Sequence, residues 1–156
     1  MIALHIISVG SDKDRWVAEA AEHYKTLLSK YARVEFSQVP HAVYGKAADI
    51  PSHLKKEAAK IESAIKGGYV IALDVKGSAY TTEDLAGKLA KILVGGHSRL
   101  EFIIGGPYGL HPSIKEKADL VLSLSPLTMS HQVVRLVLLE QLYRLLDLNA
   151  GGKYHK

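Results

Sequence analysis

Hydrophobic and polar positions fall in blocks along this chain, and their spacing switches back and forth between the strand period and the helix period. Ile2 to Val9 is an apolar run stopped by Gly10 and reads as a first strand. Ser11, with Asp14 three residues on, is the expected N-cap of a helix on which Trp16, Val17, Ala20, Tyr24, Leu27, Leu28 and Tyr31 recur at helical spacing. Val34 to Val39 alternates and ends at Pro40, which predicts a half-exposed strand near an edge; residues 41–49 read as a loop. Leu54, Ala58, Ile61 and Ile65 mark the apolar stripe of a second helix whose other positions carry lysines and glutamates, and Gly67-Gly68 ends it. Tyr69 to Leu73 is continuously apolar, as expected for a central strand buried on both faces. Thr81 should cap a third helix bearing Leu85, Leu89, Ile92 and Leu93, with Gly95-Gly96 as its stop. Leu100 to Ile104 and Leu120 to Leu124 supply the last two strands, and Gln132 to Leu148 a long final helix.

Strands alternating with helices predict an α/β fold, a mostly parallel sheet flanked by helices. The 156 residues, 47% of them hydrophobic, suffice for one domain spanning 1–156, and no repeat or linker interrupts them. There is no cysteine, so disulfides, thiolate metal sites and thiol nucleophiles are excluded by inventory. The eight histidines lack H-E-x-x-H spacing, so no metal is expected, and most of them read as surface residues. Asp119 with Glu116, and the acids of the second helix, read as solvated faces. The N-terminal segment has no positively charged start, and its apolar stretch is far below the roughly 18 residues of a membrane helix, which points to a cytoplasmic protein with no membrane partner. Lys and Arg total 20 against 16 acids, a net charge of +4 that permits an RNA partner without requiring one.

The candidate chemistry lies in the last third. Gly105, Gly106 and Gly109 follow a buried strand, where glycines let a ligand approach backbone amides. The spacing is neither G-x-G-x-x-G nor the Walker form, which argues against a nucleoside triphosphate, and on the glycines alone a plain strand-to-helix turn is the more economical reading. Leu124 to Ser130 is a long connection between hydrophobic elements, so its amides and carbonyls need partners. An adenine edge in an apolar slot would supply them; so would an ordinary helix entry capped by Ser130.

On the final helix Leu138, Leu139, Leu142 and Leu146 form the core stripe. Val133, Val137 and Leu148 lie opposite with Glu140 and Arg144, which predicts packing against a second subunit or another part of the same chain. Arg135 falls between Leu142 and Leu146 in the apolar stripe, where a charge needs an anion: a substrate phosphate, a cofactor carboxylate, or an acid such as Glu140 of a neighbouring subunit. The tail Lys153-Tyr154-His155-Lys156 follows Gly151-Gly152 and is flexible at its root; by composition alone most such tails are solvated.

Taken together, Ile103-Ile104-Gly105-Gly106-Pro107-Tyr108-Gly109-Leu110, Leu122-Ser123-Leu124-Ser125-Pro126-Leu127-Thr128, His131 with Arg135, Glu140-Gln141-Leu142-Tyr143-Arg144 and Tyr154-His155-Lys156 closely resemble the small SPOUT methyltransferases that act on N3 of a pseudouridine in bacterial 23S rRNA. The resemblance spans the chain, including Val9-Gly10 and Leu73-Asp74, and departs at Ser130, where proline is usual, and at Tyr108, where a smaller polar or acidic residue is common. It implies a C-terminal trefoil knot and S-adenosylmethionine bound by Leu73, Gly105, Leu124, Ser125, Pro126, Leu127, Thr128 and Met129. It further implies a homodimer packed through the last helix and acting on 23S rRNA in the large subunit or whole ribosome. Tyr154, His155 and Arg135 would be catalytic, and Arg144, Lys153 and Lys156 would contact RNA. Methylating a ring nitrogen requires removal of an imide proton and an in-line approach to the methyl group. A free imidazole, with a pKa of ~6.5, is mostly neutral at pH 7, so a histidine suits the acceptor role, with Tyr154 orienting or stacking on the base in the partner subunit's pocket. A SPOUT methyltransferase acting on tRNA and a cofactor-free RNA-binding assembly factor are the alternatives.

Overall fold

The computed structural model describes residues 1–11, 13–41 and 49–156; residues 42–48, within the expected loop, lie outside the described residues. The first apolar run forms β1 (Ile2–Val9), and α1 (Arg15–Leu28) follows it. Asp14, not Ser11, occupies the cap position, so the helix begins later than expected. Val17, Ala21 and Leu28 are its buried residues, whereas Trp16 is 54% exposed. The neighbouring position belongs to the stripe, and a 100° step turns Trp16 out of it.

β2 (Ala32–Val39) is the half-exposed edge strand that its alternation predicts. It is followed by α2 (Ile50–Ala64), β3 (Tyr69–Ser78), α3 (Thr82–Val94), β4 (Arg99–Ile104), α4 (Pro112–Lys117), β5 (Leu120–Leu122) and α5 (His131–Asn149). All pairings in the five-stranded sheet are parallel, in the order β2-β1-β4-β3-β5. One core, on the face covered by α1, α3 and α5, gathers Leu4, Ile6, Phe102, Ile104, Leu138, Leu139 and Leu142. The other, under α2 and α4, gathers Ile7, Val9, Ala58, Ile61, Ile103 and Ile114. Thr81 caps α3 through the Asp84 amide, 3.1 Å away. α4 carries no periodic signal because six residues are too few to show a stripe.

Three sequence expectations change. β3 is second from an edge rather than central, and only Ile71 and Ala72 along it are buried. It runs on to Ser78 because its register against β5 shifts between Leu73 and Ser78, and the strand bulges around a partner of only three residues. Gly77 permits this: a Cβ there would stand 2.8 Å from the Leu122 carbonyl carbon and the Val121 oxygen. Among the histidines, His5 is wholly buried; its Nδ1 lies 2.6 Å from Glu101 and its Nε2 2.8 Å from Ser37. Among the acids of the second helix, Glu57 is buried and faces His41 at 3.6 Å rather than solvent.

Candidate functional site

A cavity of about 430 Å³ opens where β4 and β5 end beside the middle of β3, within the size range of small-molecule sites. Short β5 ends early and β3 bulges around it, so the strand ends do not close on one another. Leu73, Gly105, Leu124, Ser125, Leu127, Thr128 and Met129 line the cavity as a group drawn from strand β3 and from the two loops that follow β4 and β5. Pro126, the remaining expected contact, is exposed and outside the lining. Asp74, Val75, Pro107, His131 and Val134 also line it, and no motif singled them out for this role.

The walls are set by close backbone packing. Gly105 is pressed against the next turn, since a Cβ there would stand 2.7 Å from the Gly109 carbonyl carbon and oxygen. Gly109 itself has φ +78 and pairs with Gly106, folding the glycine segment back on itself. The Leu124 to Met129 segment is held by side chains: Ser123 donates from Oγ to the Val75 and Ser125 carbonyls, each at 3.1 Å, and the Leu127 amide donates to Ser125 Oγ at 3.0 Å. Ser130 then caps α5, accepting from the Val133 amide at 3.3 Å. The ordinary helix entry and the pocket wall are therefore the same segment. Tyr108, at the other departure from the family pattern, is 52% exposed.

At the rim, Lys115 meets Asp74 at 2.9 Å. Burial works against ionising Asp74, but the Lys76 amide and the Lys115 ammonium outweigh it and hold the carboxyl below its ordinary range. His131, also in the lining, packs against Gly10, whose φ is +101; a Cβ there would meet Nε2 at 3.2 Å. That nitrogen is buried and has no hydrogen-bond partner among the described residues.

The expected catalytic and RNA-contacting residues lie elsewhere on the same chain. Arg135 is buried in α5 with its guanidinium carbon 4.3 Å above the Phe36 ring, and burial lowers its pKa. Arg144 donates from Nε to Glu140 at 3.0 Å and lies 4.7 Å above the Tyr154 ring, while Lys153 and Lys156 are exposed. The Tyr154 ring stands edge-on to Tyr143 at 4.7 Å, and its hydroxyl is 3.3 Å from Glu140. Glu140 is separated from Ser130, at the cavity, by ~15 Å of helix at 1.5 Å per residue. His155 lies over the start of α3 with Nε2 3.0 Å from Glu83, and its Nδ1 is buried and has no hydrogen-bond partner among the described residues. The tail thus folds back on α5 and α3 and does not line its own chain's cavity.

Residues 2–155 match the family described as "Predicted SPOUT methyltransferase". The chain is 40% identical over the whole of both sequences to "Ribosomal RNA large subunit methyltransferase H" of Desulforamulus reducens, and 38% identical to the protein of the same name from Caldicellulosiruptor saccharolyticus, covering 98% of this chain and 99% of the other. The chain belongs to the SPOUT methyltransferase family. Solved structures share the fold. A probable methyltransferase from Bordetella pertussis superposes with a TM-score of 0.60 at 14% identity, covering 92% of this chain and 93% of the other. A probable methylase family protein from Haemophilus influenzae gives 0.61 at 13% identity, covering 98% of this chain and 70% of the other. Among the described residues no group of His, Asp and Glu is arranged to hold a metal ion, and no helix is long and apolar enough to cross a membrane.

Proposed function

We propose that this SPOUT protein transfers a methyl group from S-adenosylmethionine to N3 of a pseudouridine in 23S rRNA of the large subunit or assembled ribosome, as a homodimer. The observation that carries the reading is the cavity built from Leu73, Gly105 and the Leu124 to Met129 loop. Its leucines suit a flat apolar ring, while the glycine and serine loops present backbone edges that such a ring can hydrogen-bond. When bound, S-adenosylmethionine supplies an electrophilic methyl group. The chain's own contribution is to bind it, exclude water and hold the nucleobase in line.

His155 is our candidate proton acceptor. With the proton on Nε2 directed at Glu83, Nδ1 keeps its lone pair, and that nitrogen has no hydrogen-bond partner among the described residues. Tyr154 orients or stacks on the base. Because the tail does not line its own chain's cavity, this chemistry requires delivery to the cavity of the partner subunit. The surface of α5 that carries half-exposed Val137, with Val133 38% exposed beside it, is our candidate dimer seam. Exposed Lys153 and Lys156 supply phosphate contacts; Arg144, engaged with Glu140 and Tyr154, contributes to RNA binding only if those contacts rearrange. Arg135 stands by Phe36 and is not part of the cavity lining, so we assign it to positioning α5 rather than to the reacting atoms. Family membership supports a knotted C-terminal segment.

The test is to offer ribosomes, isolated subunits and tRNA separately to the protein with methyl-labelled cofactor, and to map the label by mass. Label at N3 of one 23S nucleotide is expected; label confined to tRNA would overturn the substrate. Calorimetry on the folded protein with S-adenosylmethionine separates both from a cofactor-free assembly factor, which would show no heat of binding.

A further inference from the structure

We propose that Asp147 is the positioning residue that anchors the tail and sets where Tyr154 and His155 are presented. This rests on the tail's catalytic role given above, but the anchor itself is read from contacts that no motif marks.

Asp147 lies in the last turns of α5 and is 7% exposed, an acid on a helix end otherwise packed with leucines. Both carboxylate oxygens are used. Oδ1 accepts from the Tyr31 hydroxyl at 2.8 Å, which ties it to the turn between α1 and β2, and Oδ2 accepts from the Tyr154 backbone amide at 2.9 Å. The Asp147 carbonyl accepts from the Gly152 amide at 2.8 Å, so one residue holds the turn and the tail together. A Cβ built on Gly152 would overlap this carboxylate, so Gly152 allows the chain to pass close to it. The sequence reads Gly151-Gly152 as a flexible root; the geometry makes the second glycine part of a clamp.

The electrostatics agree. The Tyr154 amide and then the Tyr31 hydroxyl hold the Asp147 carboxyl below its ordinary range, and the bond to Asp147 raises the Tyr31 phenol. The Tyr31, Tyr143 and Tyr154 rings follow in contact, with centroids 6.1 and 4.7 Å apart, and Arg144 covers the last of them. Tyr154 is therefore fixed at its backbone by Asp147 and at its ring by α5. A backbone bond to the residue next to His155 restricts where that imidazole can stand, which is how Asp147 acts on chemistry it does not touch.

The experiment compares Asp147→Asn and Tyr31→Phe with the parent, all full length. Asn keeps the shape but can accept at only one of the two positions. Two readouts are taken: amide hydrogen exchange at Tyr154, and single-turnover methyl transfer to ribosomes over a range of ribosome concentrations. In D147N, exchange at Tyr154 should speed up about tenfold. The transfer rate constant should fall about tenfold with the half-saturating ribosome concentration unchanged, a split that simple destabilisation does not produce. Y31F should move both in the same direction by less, and decides the matter if D147N does not fold. Unchanged exchange at Tyr154 overturns the anchor. Faster exchange with an unchanged rate constant overturns its role in positioning. Should the parent itself not methylate ribosomes, the reading under Proposed function fails, while exchange at Tyr154 still decides whether Asp147 is the anchor.

Discussion

Glu83 Oε1 and His155 Nε2 stand 3.0 Å apart, joining the first turn of α3 to the C-terminal tail. The contact selects a tautomer, because a carboxylate can only accept and so retains the proton on Nε2. Glu83→Gln can still accept through its amide oxygen but loses the charge. We expect its single-turnover rate on ribosomes to fall about threefold to tenfold, and His155→Ala to fall by about a hundredfold or more, the scale of a lost general base. A His155→Ala rate equal to that of the parent would remove the imidazole from the mechanism.

Gly105→Ala should weaken cofactor binding selectively. The added methyl would stand 2.7 Å from the Gly109 backbone, so the glycine segment must open and the cavity wall must move. Titration calorimetry should show S-adenosylmethionine binding at least about tenfold weaker, at a strain cost of about 1–3 kcal/mol. Binding as tight as the parent's would show that this wall is not a binding surface.

Glu35 gives the chain an acid-sensitive contribution to stability. Lys66 at 2.9 Å and Arg99 at 3.3 Å bring its carboxyl down to about 2 from an ordinary 4.5. A folded-state pKa below the unfolded value means stability that is present in full above about pH 4.5 and is lost as the pH falls toward about 2. The group is partly exposed and screened, so we expect about 1 kcal/mol. Denaturant titrations of Glu35→Gln should show that loss at pH 7 and a shallower decline between pH 5 and 2; curves parallel to the parent's would refute it.

The His5 and Glu101 pair is wholly buried, and Glu101 also accepts from the Lys66 and Gly68 amides at 2.8 and 3.2 Å. Glu101→Ala strips partners from three donors or acceptors at once and should cost about 3–5 kcal/mol in equilibrium unfolding. Glu101→Gln, which preserves an acceptor for the amides, should cost less. A loss below about 1 kcal/mol for the alanine variant would mean that water replaces the carboxylate.

Much of the local structure was legible because its causes are local. The Thr81 cap acts on a residue three positions away, Gly95-Gly96 stops α3, and alternation from Val34 marks β2 as a half-exposed edge. Two loops of the cavity were also legible, since glycines and small residues follow apolar runs at 105–106 and 124–129. Illegible were α4, too short for a period, and the β3 bulge, which depends on how soon its neighbour ends. His131 entered the sequence reading only as part of a motif; its place on the cavity wall follows from where α5 begins against Gly10.

By itself the sequence determined the α/β class, the order of the elements apart from α4 and, through its ordered motifs, the SPOUT family. Periodicity, capping and turn chemistry act over a few residues, so they can be read in one dimension. Tertiary structure alone decided the strand order β2-β1-β4-β3-β5 and the partners of the polar groups. His5 meets Glu101 across 96 positions and Tyr31 meets Asp147 across 116. Such pairs exist because a buried polar group must find a partner, and which partner stands within reach is set by sheet register and helix packing, which no local pattern encodes.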